Sequence, residues 1–267
     1  MCGCFGKKKQ RVYTGMVEGE EVQVSSELPG KLVEVLYSEG QSIEKGAKLA
    51  EIDHKELDAQ LKSLKAQCKS AQEEVDAAKA RSASAQQNLD RNKVLWEKGN
   101  LSDQKYQDLQ SEFDFANAKL KATEAQLEQY LSNVERLEVQ IAKSSIYSPI
   151  SGVVTSRIAK EGEFVNIGSP VYRILDTQDI KVKVYVPEKV MTKTSLMQDV
   201  KVRSSVAHEK VFAGRITYIA PKAEFIPKNI QTEEQRAYQV YAVKCKILEG
   251  YGVLKPGMYA DVILTLE

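Results

Sequence analysis

The chain has 267 residues, with 38 Lys and Arg against 37 Asp and Glu and a formal net charge of +1. That balance supplies no net basic field to draw in nucleic acid and no acidic tail. Hydrophobic residues make up 42%, enough for packed cores, while 4 Cys and 2 His leave little material for a disulfide framework, a His-rich metal site or a His-based catalytic dyad. The length suggests roughly one to three domains.

The N-terminus reads Met1-Cys-Gly-Cys-Phe-Gly-Lys-Lys-Lys. It contains no apolar signal-peptide core, and no stretch of the chain approaches the length of a membrane-spanning helix. Three readings stand. Met1 replaces a removed leader and Cys2 is the lipidated first residue of a bacterial lipoprotein; or an N-terminal transmembrane segment has been removed; or the start is cytosolic with two chance cysteines. With lipid on Cys2, Lys7, Lys8 and Lys9 would lie on anionic headgroups.

The first β segment runs Leu28-Pro-Gly-Lys-Leu-Val-Glu-Val-Leu, then Glu39-Gly-Gln-Ser-Ile-Glu-Lys-Gly46. Alternating apolar residues argue strand, and Gly30, Gly40 and Gly46 read as turn positions. From about residue 54 the period changes. Leu57, Leu61, Leu64, Cys68, Ala71, Val75, Ala78, Ser82, Ala85, Leu89, Asn92 and Trp96 recur in alternating steps of four and three. An unbroken heptad of this kind argues coiled coil. Asp53 reads as the N-cap, with Glu56 as its capping-box partner. Gly99-Asn100 breaks the pattern, and Ser102 is the N-cap expected for a second helix. The second seam runs Tyr106, Leu109, Phe113, Ala116, Leu120, Thr123, Leu127, Tyr130, Val134, Leu137 and Ile141. Folding back at the break sets Ala85 opposite Phe113 and Ala116 near Ser82. Each arm is about 65 Å long. Cys68 and Trp96 read as seam residues.

The β texture resumes with Ile150-Ser-Gly-Val-Val-Thr-Ser-Arg-Ile, then Glu161-Gly-Glu-Phe-Val-Asn-Ile-Gly168. This repeats the first segment at an offset of about 122 residues. Gly30, Gly40 and Gly46 match Gly152, Gly162 and Gly168. Leu32, Leu36, Ile43 and Leu49 match Val154, Ile158, Val165 and Val171. Neither half can bury its apolar face alone, so the two are expected to pack together. The pattern resembles the two half-motifs of a lipoyl or biotinyl-carrier domain. In that family the modified Lys lies on the turn joining the halves. Here the helices take that place, so the carrier function loses its attachment site.

After Asp176 short strands follow: 180–187, an edge-like strand ending at Pro187, then 200–203, 211–219, 238–247 and 259–266. They suggest a small barrel or sandwich. Pro256-Gly257 is expected to form a turn, with Met258 packed inside and Cys245 in the core. The fold class is thus multidomain, β plus long coiled coil: a lipoyl-like module split by an antiparallel helical hairpin, then a small β-barrel. The expected divisions are 1–20 for an N-terminal anchor, linker and first-strand region, 21–53 with 144–176 for the lipoyl-like domain, 54–143 for the hairpin and 177–267 for the barrel.

At the turn of the hairpin, Arg91, Leu95 and Ser102 stand four and then seven residues apart. Singly they read as a solvated charge, a seam end and an N-cap. Together they resemble the Arg-x3-Leu-x6-Ser tip motif of periplasmic adaptor proteins, the membrane fusion proteins of the hemolysin-secretion-D type. Leu254-Lys-Pro-Gly-Met-Tyr-Ala-Asp-Val is similar to the run entering the last barrel strand of that family. Gly214-Arg-Ile-x-x-Ile-x-Pro221 and the stretch from Ala223 to Arg236 are similar to the subset accompanying ABC-type exporters.

The resemblance implies a non-catalytic periplasmic protein without cofactor, held at the inner membrane. Its partners would be an inner-membrane transporter, ABC-type favoured, and a trimeric outer-membrane duct protein met by the tip. Copies would assemble, as hexamers in this family. Many relatives carry a further membrane-proximal domain, expected here to be absent or reduced to part of the 13–24 strand. Scattered Met residues disfavour a metal-efflux role. The competing classes are a coiled-coil scaffold without transport and a lipoyl or biotinyl carrier.

Overall fold

The structure is a computed structural model that describes residues 9–204, 210–225, 239–249 and 253–266. Cys2, with Lys7, Lys8 and the 226–236 part of the exporter-like stretch, lies outside the described residues. Three bodies are present: a β module, a two-helix arm inserted between its halves, and a β-barrel that takes strands from both sides of them.

The module is built from the repeat. Its first half supplies β2 (Gly30–Val35), β3 (Ser42–Ile43) and β4 (Lys48–Ile52); its second supplies β5 (Ser145–Tyr147), β6 (Gly152–Arg157), β7 (Phe164–Val165) and the start of β8 (Pro170–Pro187). The halves exchange strands across a pseudo-two-fold. β2 pairs with β7 through Gly30 opposite Val165, and β6 pairs with β3 through Gly152 opposite Ile43. Backbone bonds obey the same symmetry: Gly40 N–H donates to Val154 O, and Gly162 N–H to Leu32 O, both at 2.8 Å. One core takes members from both halves, among them Leu32, Ile43, Leu49, Val154, Val165 and Val171. Tyr172 is fully buried there; its hydroxyl donates to Tyr37 O at 2.8 Å and accepts from Tyr37 N–H at 3.0 Å, tying one half to the other. Burial pushes that phenol above its ordinary pKa.

Two expectations change here. Gly40, Gly46, Gly162 and Gly168 take positive φ, as turns require, and so does Gly257 beside Pro256. Gly30 and Gly152 are not turns: each opens a strand. A Cβ on Gly30 would lie 2.5 Å from Ile52 Cγ2, and one on Gly152 would lie 2.1 Å from Leu175 O, so both are glycine for close approach. Leu36 and Ile158, read as core partners, are both exposed, because each chain turns outward there before its tight reversal.

The arm is α1 (Lys55–Glu97) and α2 (Asp103–Ala142). The two helices run back along each other. Every residue of both seams read from the sequence is buried or half-buried, except Trp96 at 37% exposed. Ala71, Val75, Ser82, Ala85 and Leu89 of α1, with Ala116, Thr123 and Leu137 of α2, are the buried ones. Small side chains allow close approach but supply little apolar area. The N-terminus of α1 differs from expectation. His54 is the N-cap without a side-chain bond, and Asp53 Oδ1 instead accepts from Lys55 N–H at 3.2 Å. The facing also differs. The fold-back that sets Ala85 opposite Phe113 would bring Trp96 to Ser102, but Trp96 stacks on Tyr106, and Lys65 pairs with Glu138 at 2.7 Å. The helices are offset by about one turn from a simple fold-back, and the Ala85–Phe113 facing moves with it.

The barrel closes through strands distant in sequence. Its members are β1 (Lys9–Ser25), β8, β9 (Asp199–Ser204), β10 (Val211–Ile219), β12 (Gln239–Ile247) and β13 (Tyr259–Leu266), with the short β11 (Glu224–Phe225) beside β12. Their order is β12-β10-β9-β13-β1-β8, and β8 pairs back to β12. The first-strand region expected within 1–20 is thus a barrel stave, and the barrel is not confined to 177–267. The 180–187 segment is no edge: β1 and β12 flank it. Val17, Val182, Val184, Val202, Ile216 and Val262 fill the interior. Cys245 joins them, and burial pushes its thiol up to about 12. Met258, expected inside, is exposed; Leu254 and Ala260 point inward instead. β1 and β8 run on past the barrel into the module, where Glu21 to Ser25 pair with Leu175 to Pro170. At that junction residues 176–179 bulge from β8, and Asp176 Oδ1 accepts from Gln178 and Asp179 N–H.

Candidate functional site

The tip of the arm is the site the sequence singles out. α1 ends because Gly99, at φ +74, turns the chain into the left-handed region. Gly99 N–H then donates to Trp96 O at 2.8 Å and Asn100 N–H to Leu95 O at 2.9 Å, satisfying carbonyls of the last turn. Ser102 is extended and caps α2, its Oγ accepting from Lys105 N–H at 3.4 Å. Asp103 follows in the first turn of α2, where a carboxylate suits the helix dipole.

Trp96 fastens the two ends. Its indole stacks on Tyr106 with centroids 4.6 Å apart and planes 10° off parallel, and its Nε1–H donates to Asp103 Oδ1 at 2.7 Å. The sequence reading placed Trp96 on the seam; the structure makes it a half-exposed clasp across the turn. Asp103 was missed. The signal was available: a Trp and a Tyr flanking one Gly-Asn break, with a carboxylate opening the second helix.

Arg91 and Leu95 are one turn apart on α1 and so share a face. Arg91 lies along its own helix, with Nη2–H donating to Asn88 Oδ1 at 2.5 Å and Nε–H to Gln87 O at 3.3 Å. Leu95 is 45% exposed, and its neighbour Val94 is also exposed. The structure therefore keeps Arg91, Leu95 and Ser102 at the solvent-facing end of the arm. Phe115 of α2 is 68% exposed as well. It sits between the seam residues Phe113 and Ala116, and an aromatic residue off the heptad was the sequence signal for it. This arrangement offers apolar contact and hydrogen bonding at the end of a long lever, rather than a nucleophile paired with a base. No helix among the described residues is long and apolar enough to cross a membrane.

Comparison with known proteins bears on the whole architecture. The family described as RND MFP, barrel-sandwich hybrid domain, matches residues 20–177. That span includes the split module and the helical arm. The membrane protein YbhG of Salmonella paratyphi B is 26% identical over 93% of this chain and 86% of its own length. The crystal structure of MacA from Actinobacillus actinomycetemcomitans is 25% identical and superposes with a TM-score of 0.76, covering 98% of this chain and 79% of that one. A MacA–MexA chimera carrying the Pseudomonas aeruginosa MexA α-hairpin domain shares the fold at 24% identity and a TM-score of 0.53, over 98% of this chain and 83% of the chimera. Since the family match spans more than half of the chain, the chain belongs to the RND-type membrane fusion proteins, through their barrel-sandwich hybrid domain.

Proposed function

We propose that this protein is the periplasmic adaptor of a tripartite efflux system, joining an ABC-type inner-membrane transporter to a trimeric outer-membrane duct. The two helices act as a coiled-coil hairpin, and its tip, through Arg91, Leu95 and Ser102, meets the duct. The barrel and N-terminal region face the transporter. The module, formed by 21–53 and 144–176, packs beside copies of itself in a hexameric ring, since a head-to-tail contact that closes makes a ring. The protein does no chemistry and carries no cofactor; it seals the conduit and passes movement along a stiff lever. Anchoring at the inner membrane is through lipid on Cys2 or a removed N-terminal segment.

One observation carries the reading: Leu95 is held 45% exposed at the end of the arm, one turn from Arg91 and across a clasped turn from Ser102. The similarity of 214–236 to exporter-associated adaptors supports the ABC-type partner. The test is photo-crosslinking in cells from position 95, because Ser102 is occupied as the cap of α2. Capture of an outer-membrane duct protein is expected. Arg91→Asp should abolish export while leaving the unfolding curve unchanged. Normal export by that variant, or capture of this chain alone from position 95 with the transporter expressed, would return the hairpin to a scaffold role.

A further inference from the structure

The barrel has two ends. One continues into the module through β1 and β8. The other is where β1 begins and β8 ends, so it faces away from the module and the arm. α3 (Glu188–Met191) plugs this far end: Val190 is buried in the barrel core and Met191 packs against it. The loop 192–198 then crosses to β9 and presents Leu196, 59% exposed, and Met197, 64% exposed.

These two side chains are held out. Met197 N–H donates to Ile216 O at 2.9 Å, and Ile216 N–H returns a bond to Gln198 O at 2.9 Å. Gln198 Nε2 donates to Thr265 O at 2.9 Å, fixing the loop to β13. Met197 has φ +66 and is the one non-glycine residue with positive φ among the described residues. Gly or Asn would fit that backbone with less strain. The fold therefore gains neither packing nor backbone ease from a methionine here, and strain kept at an exposed apolar residue points to contact with something else.

The surroundings are cationic. Lys189, Lys193 and Arg11 are exposed on this end. The acids on this end are Glu188, Asp199 and, beside Pro187 through Val240, Glu224; Asp199 is engaged by Arg215 at 2.7 Å, and exposed Lys222 stands near Glu224. The first residues of β1 lie on this rim.

We infer that this far rim of the barrel rests on an anionic lipid surface, with Leu196 and Met197 entering the headgroup layer and the surrounding cations facing lipid phosphates. A shallow apolar wedge ringed by cations is the arrangement that binds membrane interfaces. The inference is independent of what the far-off tip of the arm meets.

The test uses the full chain and sedimentation with vesicles. Vesicles of phosphatidylethanolamine and phosphatidylglycerol are compared with phosphatidylcholine alone. The unsubstituted chain should co-sediment with the anionic vesicles and not with the neutral ones. Leu196→Ser with Met197→Asn should lower the bound fraction at least fivefold with an unchanged thermal unfolding curve, Asn being chosen because it tolerates the left-handed backbone. In a second measurement, Leu196→Trp in a Trp96→Phe background should shift its emission to the blue when anionic vesicles are added. Absence of binding by the unsubstituted chain, or equal binding by the double variant, overturns the inference. So does a double variant that binds vesicles normally but no longer co-purifies a membrane transporter; that result would assign the rim to a protein partner.

Discussion

The two β bodies and the helical arm are stabilised in different ways. The module and barrel bury large aliphatic side chains completely: Leu32, Leu49, Val182 and Val202 have no measurable exposure. The arm buries mainly small residues along one narrow seam, three Ala with a Ser, a Thr and a Val, and only two Leu. Apolar area is the main source of stability, so the bodies are firm while the arm depends on length, on many weak contacts and on the clasp at its tip. The clasped turn at the end of the arm carries Arg91, Leu95 and Ser102.

That contrast can be broken at the firm end first. Leu32→Ala removes a fully buried side chain shared by both halves of the module and should cost about 3 kcal/mol, read by urea unfolding. A cost under 1 kcal/mol would mean that the halves do not depend on one another for their core.

Trp96→Ala should cost less, about 1 kcal/mol, and act locally. Amides around 92–106 should exchange faster, while those of β8 and β12 keep their protection. Uniform loss of protection through the arm and the bodies would contradict the division drawn above.

The smallest effect is expected where module and barrel meet. The hydrogen bond from Lys181 to Asp179, at 2.7 Å, is the leading reason that its carboxyl lies below the ordinary 3.8, and Lys246 adds a second contact at 2.9 Å. A carboxyl with a lowered folded pKa contributes stability that is complete above the unfolded value and is lost as pH falls through the folded one. Relative to Asp179→Asn, the native chain should be more stable by up to about 1 kcal/mol at neutral pH. That advantage should disappear on acidification below pH 3.8. An advantage that grows on acidification would remove this contact from the account.

Parts of this architecture are legible residue by residue. The heptad steps from Leu57 to Trp96 and from Tyr106 to Ile141 give both helices and their inward faces, because a period of 3.6 exposes one side of a helix whatever it packs against. The matched glycines at 40, 46, 162 and 168 give the turns, because a left-handed backbone favours a residue without Cβ. Ser102 was readable as a cap because its hydroxyl accepts a backbone N–H of the first turn.

Other features have no local signature. The offset of the helices is set by the Trp96–Tyr106 stack, a contact between side chains rather than a period. Gly30 and Gly152 are glycine because Ile52 and Leu175 come close in space. The barrel closes through β1 against β13, where Thr14 donates to Asp261 at 2.7 Å across almost the whole chain. Its exposed far rim, with Leu196 and Met197, exists only once that closure is made. Sequence determined the helices, the turns and the repeat because sterics and hydrophobic periodicity act between near neighbours. Tertiary structure alone decided register, closure and exposure, because those depend on which distant surfaces meet.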